Sequence, residues 1–551
     1  MNMPSSLTYA EWPADVYLIG CGRKPPGLVH ADASLENIGC KAFGLLGMSQ
    51  LGLPVPPAFV LGTGYSRSDA MRQLATERKV WAPGLQQIEL ASDRRFGDTR
   101  APLLLAVRSG AAVSMPGMLE TLLNIGLCDA TLSGLLRQTG NPRLVWDTYR
   151  RLVASYGEVV EGIAPQVFEA EYSMVAGAAD EVEQLDFAQL RELTRRSLRA
   201  YAQAAGRPFP QDPEAQLAGA IQAVLASWDT QKARAYRHQY QIDENIGTAA
   251  TVQGMVFGNG GGNSGAGVGF TRNPATGEPA IWVDFLFNAQ GEDVVSGRRR
   301  VQGHTELART MPRLWETLCE FGSRIERAFG DMQDFEFTVQ DARLYLLQTR
   351  SGKRTPEAAV RIALDLLDEG IIEAATAQER TAGIDPAVLV RHRVAFGDGN
   401  SPEPLAHAAS ACSGVAAGEI ALDETAARAR QAAGASVILV RSDAQTSDLT
   451  AIQVASGLLT QRGARTSHAA VVARQLGKVC LIGCEALRVH ESARAISLGE
   501  TTLQEGDSLT LDGNDGSIYA GEFSVVAEPL TDLQARLARL RTGGTRAQSH
   551  D

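Results

Sequence analysis

Residues 462–478 read Arg-Gly-Ala-Arg-Thr-Ser-His-Ala-Ala-Val-Val-Ala-Arg-Gln-Leu-Gly-Lys, and no other stretch restricts the possible folds so closely. The pattern predicts a turn, then a short apolar helix with His468 in its first turn. Thr466 and Ser467 suit the N-cap, and Gly477 suits the position just past the C-cap. The partial positive charge of that helix end would disfavour imidazolium and keep the His468 ring neutral and nucleophilic near pH 7. It would also stabilise a phosphoryl group carried on the ring. From position alone, a capping or surface histidine is the commoner reading.

Around this helix the text reads as a compact α/β unit. Residues 414–422, 436–440, 457–460, 479–482 and 508–511 are strand-like, and Asp512-Gly513 and Asp515-Gly516 mark turns before a last strand at 517–520. A final helix carries Leu533, Leu537 and Leu540 on one side, and the tail from Thr542 is polar. Upstream, residues 136–156, 188–205 and 213–236 read as helices, and 248–287 and 334–350 as strand-rich. A helix opens at Pro356, capped by Thr355 and stopped by Gly370, with Ala359, Ile362, Ala363, Leu366 and Leu367 on one face. Residues 381–411, with Gly397, Gly399, Pro402 and Pro404, read as an irregular linker suited to a hinge.

At 551 residues the chain has material for several domains. Its 52 basic and 63 acidic residues leave a net charge of −11, which argues against general nucleic-acid binding. No apolar run is long enough for a membrane helix, and residues 1–9 lack the pattern of an export signal. The seven scattered cysteines include no Cys-x-x-Cys pair, so we expect reduced thiols in a cytoplasmic protein rather than zinc.

Four further constellations carry possible chemistry. Gly260, Gly262 and Gly265 spell a formal G-x-G-x-x-G, but they lie between strand-like runs with no helix opening after them, so a Rossmann assignment fails. A glycine-rich hairpin through Gly260, Gly261 and Gly262 would offer backbone N–H groups to a polyphosphate; a flexible surface hairpin reads equally well. In Asp334-Phe335-Glu336-Phe337 the period of two puts both carboxylates on one strand face, facing either a magnesium ion or solvent. After a turn at 340–343, Leu346, Gln348 and Arg350 share a face of the returning strand. Arg108, followed by small residues, suits close approach to phosphate oxygens or a structural loop. No Walker A pattern occurs.

These segments resemble the pyruvate phosphate dikinase family, in the same order and at nearly the same spacing from about residue 17 to 521. The family's histidine motif reads Gly-Gly-Met-Thr-Ser-His-Ala-Ala-Val-Val-Ala-Arg; this chain departs from it at Ala464 and Arg465. Residues 209–213, 288–295 and 331–334 also match. The resemblance implies an α/β and α+β multidomain protein: an ATP-grasp nucleotide-binding half joined by linkers to a swivelling phosphohistidine domain of β/β/α type. The domains expected are a nucleotide-binding region at 1–350, a helical linker region at 351–405, the histidine domain at 406–525, and a terminal helix and tail at 526–551.

By the same resemblance, Lys41, Arg108 and Arg350 would hold phosphates, and Asp334 and Gln348 would shape the ATP site with Gly260, Gly261, Gly262 and Glu336. Glu292 and Glu336 would take Mg2+, and His468 would attack the β-phosphorus of ATP and release AMP, the γ-phosphoryl passing to inorganic phosphate. Lys41 follows Gly39-Cys40, where the family has two glycines, and Thr466 matches a threonine phosphorylated in some members. The family continues into a large barrel that binds pyruvate or phosphoenolpyruvate, and the matching text stops near Gly521. The acceptor is therefore expected on a separate domain or a partner chain. A phosphotransferase for another acceptor or water, and a non-catalytic ATP-binding regulatory protein, are the alternatives.

Overall fold

The computed structural model describes residues 12–22, 33–115, 117–176, 185–295, 302–396, 402–444, 448–465 and 467–543. The chain divides into two compact units: residues 1–260 with 345–349, and residues 261–344 with 350–551. Residues 1–350, expected as one nucleotide-binding region, thus contribute to both. Among the described residues no helix is long and apolar enough to cross a membrane.

The first unit is built on a five-stranded antiparallel sheet in the order Val16–Ile19, Ala58–Leu61, Ala249–Gly254, Leu105–Gly110, Thr121–Ile125. Its apolar side packs on residues from the helices Arg78–Ser92, Pro142–Val160 and Pro213–Ala226. The helix expected over 136–156 is in fact two, because Gly140 takes a left-handed turn and Asn141 caps a new helix opening with Pro142. The expected 213–236 helix also breaks, at Ser227–Asp229, before Thr230 caps Gln231–Gln239. Phe209 of the matched 209–213 segment has a structural task here. Its ring meets Tyr149, Tyr156 and Tyr201 edge-on with centroids 5.4–6.0 Å apart.

In the second unit one sheet carries the strands Gln302–Gly303, Trp282–Phe287, Gly265–Phe270 and Gln333–Gln340, in that order. The helix Pro356–Asp368 begins and ends as expected, with Thr355 accepting a hydrogen bond from the Ala358 N–H and Gly370 at φ 68°. It buries more than one face, however. Ala358, Ile362 and Leu366 pack with Phe270 and Met332, while Val360, Ala363 and Leu364 pack with Leu533, Leu537 and Leu540 of the terminal helix Thr531–Arg541. Residues 381–411 are also more ordered than expected. Val390–Ala395 pairs antiparallel with Ser524–Pro529, so the chain enters and leaves the following α/β unit through a two-stranded ribbon. Gly397 and Gly399, assigned to the hinge, and the end of the tail lie outside the described residues.

That α/β unit holds an eight-stranded sheet whose fourth to seventh strands, Val415–Ala421, Val437–Arg441, Gly457–Thr460 and Val479–Ile482, are parallel. Parallel neighbours need crossovers, and His468–Gln475 is the crossover helix between the last two. It lays Ala469, Ala470 and Ala473 against Leu458, Cys480 and Ile482, small side chains that let helix and sheet approach closely. His468 therefore begins the helix that follows the carboxyl end of a parallel strand, the edge at which open α/β sheets bind ligands.

Candidate active site

Three of the expected site residues are gathered in the first unit. Ser34 caps the helix Leu35–Gln50, but Gly39 inside it has φ 76° and ψ 162°. A Cβ there would lie 2.1 Å from the Gly110 carbonyl oxygen, and the neighbouring Cys40 N–H donates to Ala111 O at 2.9 Å. This kink sets Lys41 beside the strand Leu105–Gly110, its Cβ 3.7 Å from where a Gly110 Cβ would stand. Half-buried Arg108 lies on the same strand and donates to Leu347 O across 3.5 Å. Gln348, 5% exposed, follows directly in the segment 345–349 that belongs to this unit.

Gly39 thus positions Lys41 through backbone geometry that any side chain would block. Gly39→Ala is expected to lose about 3–5 kcal/mol of stability, from a strained φ/ψ and an unrelieved backbone clash. Gly206, also left-handed at φ 69° but open on its Cβ side, is the control. Gly206→Ala should cost only about 1–2 kcal/mol. Urea unfolding midpoints measure both, and equal losses would refute the close-approach argument.

In the second unit, strand register defines the acidic face. Trp282, Phe270 and Asp334 form one cross-strand row, and Asp284, Val268 and Glu336 the next-but-one row on the same side. Phe335 and Phe337 turn to the other side, where glycines receive their rings. A Cβ at Gly267 would stand 2.4 Å from the Phe337 ring, and one at Gly269 2.5 Å from Phe335. The glycines of this strand serve ring packing. Asp334 is buried, and Arg350 donates to its Oδ2 from Nε at 2.9 Å and Nη2 at 2.8 Å. Burial pushes the Asp334 carboxyl above its usual range, with Arg350 opposing the shift. Glu336 is half-buried. Glu292 is exposed on the short helix Gly291–Val295, whose Val294 packs on Ala266, Val268 and Leu286 of this same face.

The glycine-rich segment departs from expectation. Gly260, Gly261 and Gly262 do not form a hairpin, because Ala249–Gly254 and Gly265–Phe270 belong to different sheets. The chain passes from one unit to the other between Gly260 and Gly261. Gly261 has φ 142°, and its carbonyl accepts from the Ser264 N–H.

The histidine helix starts as the sequence predicts. Ser467 is its N-cap and accepts from the Ala470 N–H at 3.4 Å. His468 is its first residue; its side chain, and all of Thr466, lie outside the described residues. Just ahead, Arg465 donates from Nε and Nη2 to Asp284 Oδ1 at 2.9 and 2.7 Å and from Nη2 to Val283 O at 3.2 Å. Its guanidinium sits 4.3 Å from the centroid of the Trp282 ring. Arg474, 1% exposed, donates to the Ala411 and Arg465 carbonyls at 3.0 Å each and lies over Phe270 and Trp282. Burial lowers its pKa, and the carboxylates of Asp334 and Asp284 oppose that shift. The start of the histidine helix is therefore held against the sheet face that carries Asp334 and Glu336. Sequence reasoning noted Arg465 only as a departure from the family motif and missed Asp284. An aspartate inside the apolar strand Trp282–Phe287 was the available signal.

A family model described as "Pyruvate phosphate dikinase, AMP/ATP-binding domain" matches residues 66–312 and 312–370, and one described as "PEP-utilising enzyme, mobile domain" matches 434–516. The chain is 40% identical over 509 residues to pyruvate, phosphate dikinase of Clostridium symbiosum, covering 89% of this chain and 57% of that one. Similar relatives are the pyruvate, phosphate dikinase of Rhizobium meliloti (strain 1021), 39% identical over 95% of this chain and 59% of its own length, and pyruvate, phosphate dikinase 2 of Zea mays, 39% identical over 88% and 56%. The chain thus spans under three fifths of the length of these relatives. With one family model matching more than half of its residues, the chain belongs to the pyruvate phosphate dikinase family.

Proposed function

We propose that the chain is an ATP-dependent phosphotransferase that charges His468. The observation that carries this reading is the histidine helix, which follows a parallel strand's carboxyl end and is held on the face bearing Asp334 and Glu336. Lys41, Arg108 and Arg350 bind the triphosphate of ATP, and Gln348, Asp334 and the 260–262 backbone shape the site. Glu292 and Glu336 would hold Mg2+, which supplies charge neutralisation on the phosphates. Among the described residues no group of three or more metal-ligating side chains occurs. Two carboxylates suit magnesium, which takes its remaining oxygens from phosphates and water.

His468 donates a ring nitrogen lone pair to the β-phosphorus, and the bond from that phosphorus to the α-phosphate oxygen breaks, releasing AMP. The γ-phosphoryl of the resulting pyrophosphoryl-histidine passes to inorganic phosphate as pyrophosphate, leaving phosphohistidine. Fixed cations stabilise the charge that develops, as in phosphoryl transfer generally. The phosphoryl group then goes to pyruvate or another acceptor on a separate domain or chain. The residues 390–395 and 524–529 through which the histidine domain is joined suit its movement between sites. The seven cysteines, none of them joined in a disulfide among the described residues, accord with a reducing, cytoplasmic setting.

The test is the fate of two labels in the wild-type protein with magnesium. Acid-labile β-32P that persists when phosphate removes γ-32P, with AMP released, is the expected result. AMP release that is indifferent to phosphate would instead indicate water or another acceptor. Bound ATP without label in either position would leave an ATP-binding protein and overturn the enzymatic reading.

A further inference from the structure

We propose that Arg465 is a positioning residue: a catch that closes on Asp284 and holds the start of the histidine helix on the Asp334–Glu336 face while His468 is charged. This rests on the functional reading above but concerns a pair of residues that the reading does not use.

The geometry is that of a fork closing on a fixed post. Two guanidinium nitrogens meet a single carboxylate oxygen of Asp284, and a third contact reaches the Val283 carbonyl. Asp284 is 2% exposed and Arg465 18%, so solvent screens the pair little. Trp282, two residues before Asp284, forms the platform beneath the guanidinium. The backbone of Arg465 is itself pinned, since Arg474 donates to its carbonyl from within the histidine helix. Arg465 cannot slide along Asp284 without carrying the helix start with it.

Register says what the catch faces. Asp284 and Glu336 occupy one cross-strand row with Val268 between them, which puts them about 10 Å apart at two strand spacings. Closing Arg465 on Asp284 therefore delivers the residues that lead into His468 to the neighbourhood of the carboxylates assigned to ATP and magnesium. The pair is also built to open. Among the described residues Asp284 Oδ2 and Arg474 Nη1 are both buried without a hydrogen-bond partner, so the docked seam there is short of its full polar satisfaction. A seam built only for stability would pair these atoms. The family motif carries methionine where this chain has Arg465, so the catch is a property of this chain's sequence.

The experiment uses the full chain and two readouts, single-turnover labelling from [β-32P]ATP and amide hydrogen exchange. Arg465→Met and Asp284→Asn are each expected to slow labelling roughly 10- to 100-fold, the effect of a displaced reacting group, with ATP affinity within about twofold. Amides of 461–465 and of Trp282–Phe287 should exchange faster in both variants, while the rest of the chain is unchanged. Arg465→Lys should recover part of the rate. The double variant should be no slower than either single one, because both remove the same contact. Unchanged labelling and exchange, multiplying losses in the double variant, or ATP affinity falling in step with the rate would each overturn the proposal. If the wild type takes no label, the functional reading fails, and the exchange arm still decides whether the catch exists.

Discussion

Replacing His468 with alanine is expected to remove acid-labile β-label from the protein altogether while leaving ATP binding within about twofold of wild type. Loss of a covalent nucleophile costs on the order of 10^6 in rate, which places residual labelling below detection. Stability should hardly change. Ser467 still caps the helix, Ala469, Ala470 and Ala473 still face the sheet, and alanine is the best helix former for the first position. The change in unfolding free energy should lie within about 0.5 kcal/mol. A binding-competent, fully folded variant without label assigns the nucleophile to this residue. Persistent label would move the phosphoryl group to another side chain and refute the assignment.

Much of this site was legible because its signals are local. The Thr355-Pro356 start and Gly370 stop of one helix, and the Ser467 cap and Gly477 stop of another, each sit within a few residues of what they control. The alternation in Asp334–Phe337 likewise placed both carboxylates on one face without reference to any partner strand. What escaped was set by distant chain. Val390–Ala395 has Arg391, His392 and Arg393 in succession, so no alternation marks it as a strand; its partner lies about 130 residues away at Ser524–Pro529. The same distance effect misread the glycines. Gly260, Gly261 and Gly262 looked like a hairpin tip because two strands flank them, yet the strands join different sheets. Gly267 and Gly269 offered no signal of their task either, since the Phe335 and Phe337 rings that lie over them come from a strand about 70 residues later. Arg465 carried no local signal at all, since its meaning depends on Asp284, 181 positions earlier.

Arg350→Ala should separate what this arginine does for the fold from what it does for chemistry. In the fold, its Nε and Nη2 donate to the buried carboxylate of Asp334. Removing one partner of a buried pair strands the other, and the expected destabilisation is about 3–5 kcal/mol near neutral pH. The loss should depend on pH in a definite sense. Burial already raises the Asp334 pKa above 3.8, and Arg350 works against that rise, so the variant's carboxyl is pushed higher still. A carboxyl raised in the folded state favours folding while it is protonated, and that contribution disappears as pH climbs through its folded value. The gap between wild type and Arg350→Ala should therefore be smallest near pH 4, close to the ordinary aspartate range, and widen toward neutrality. Adding Asp334→Asn removes the stranded charge, so the double variant should regain most of the stability and lose the pH dependence. It should not regain charging of His468, expected to be down about 100- to 1,000-fold for loss of a cation on the transferring phosphates. Urea unfolding between about pH 4 and pH 8, with labelling of the same samples, measures both halves. A stability gap that stays flat with pH would mean that Asp334 is not the group left stranded, and labelling restored together with stability would reduce Arg350 to a structural partner of Asp334.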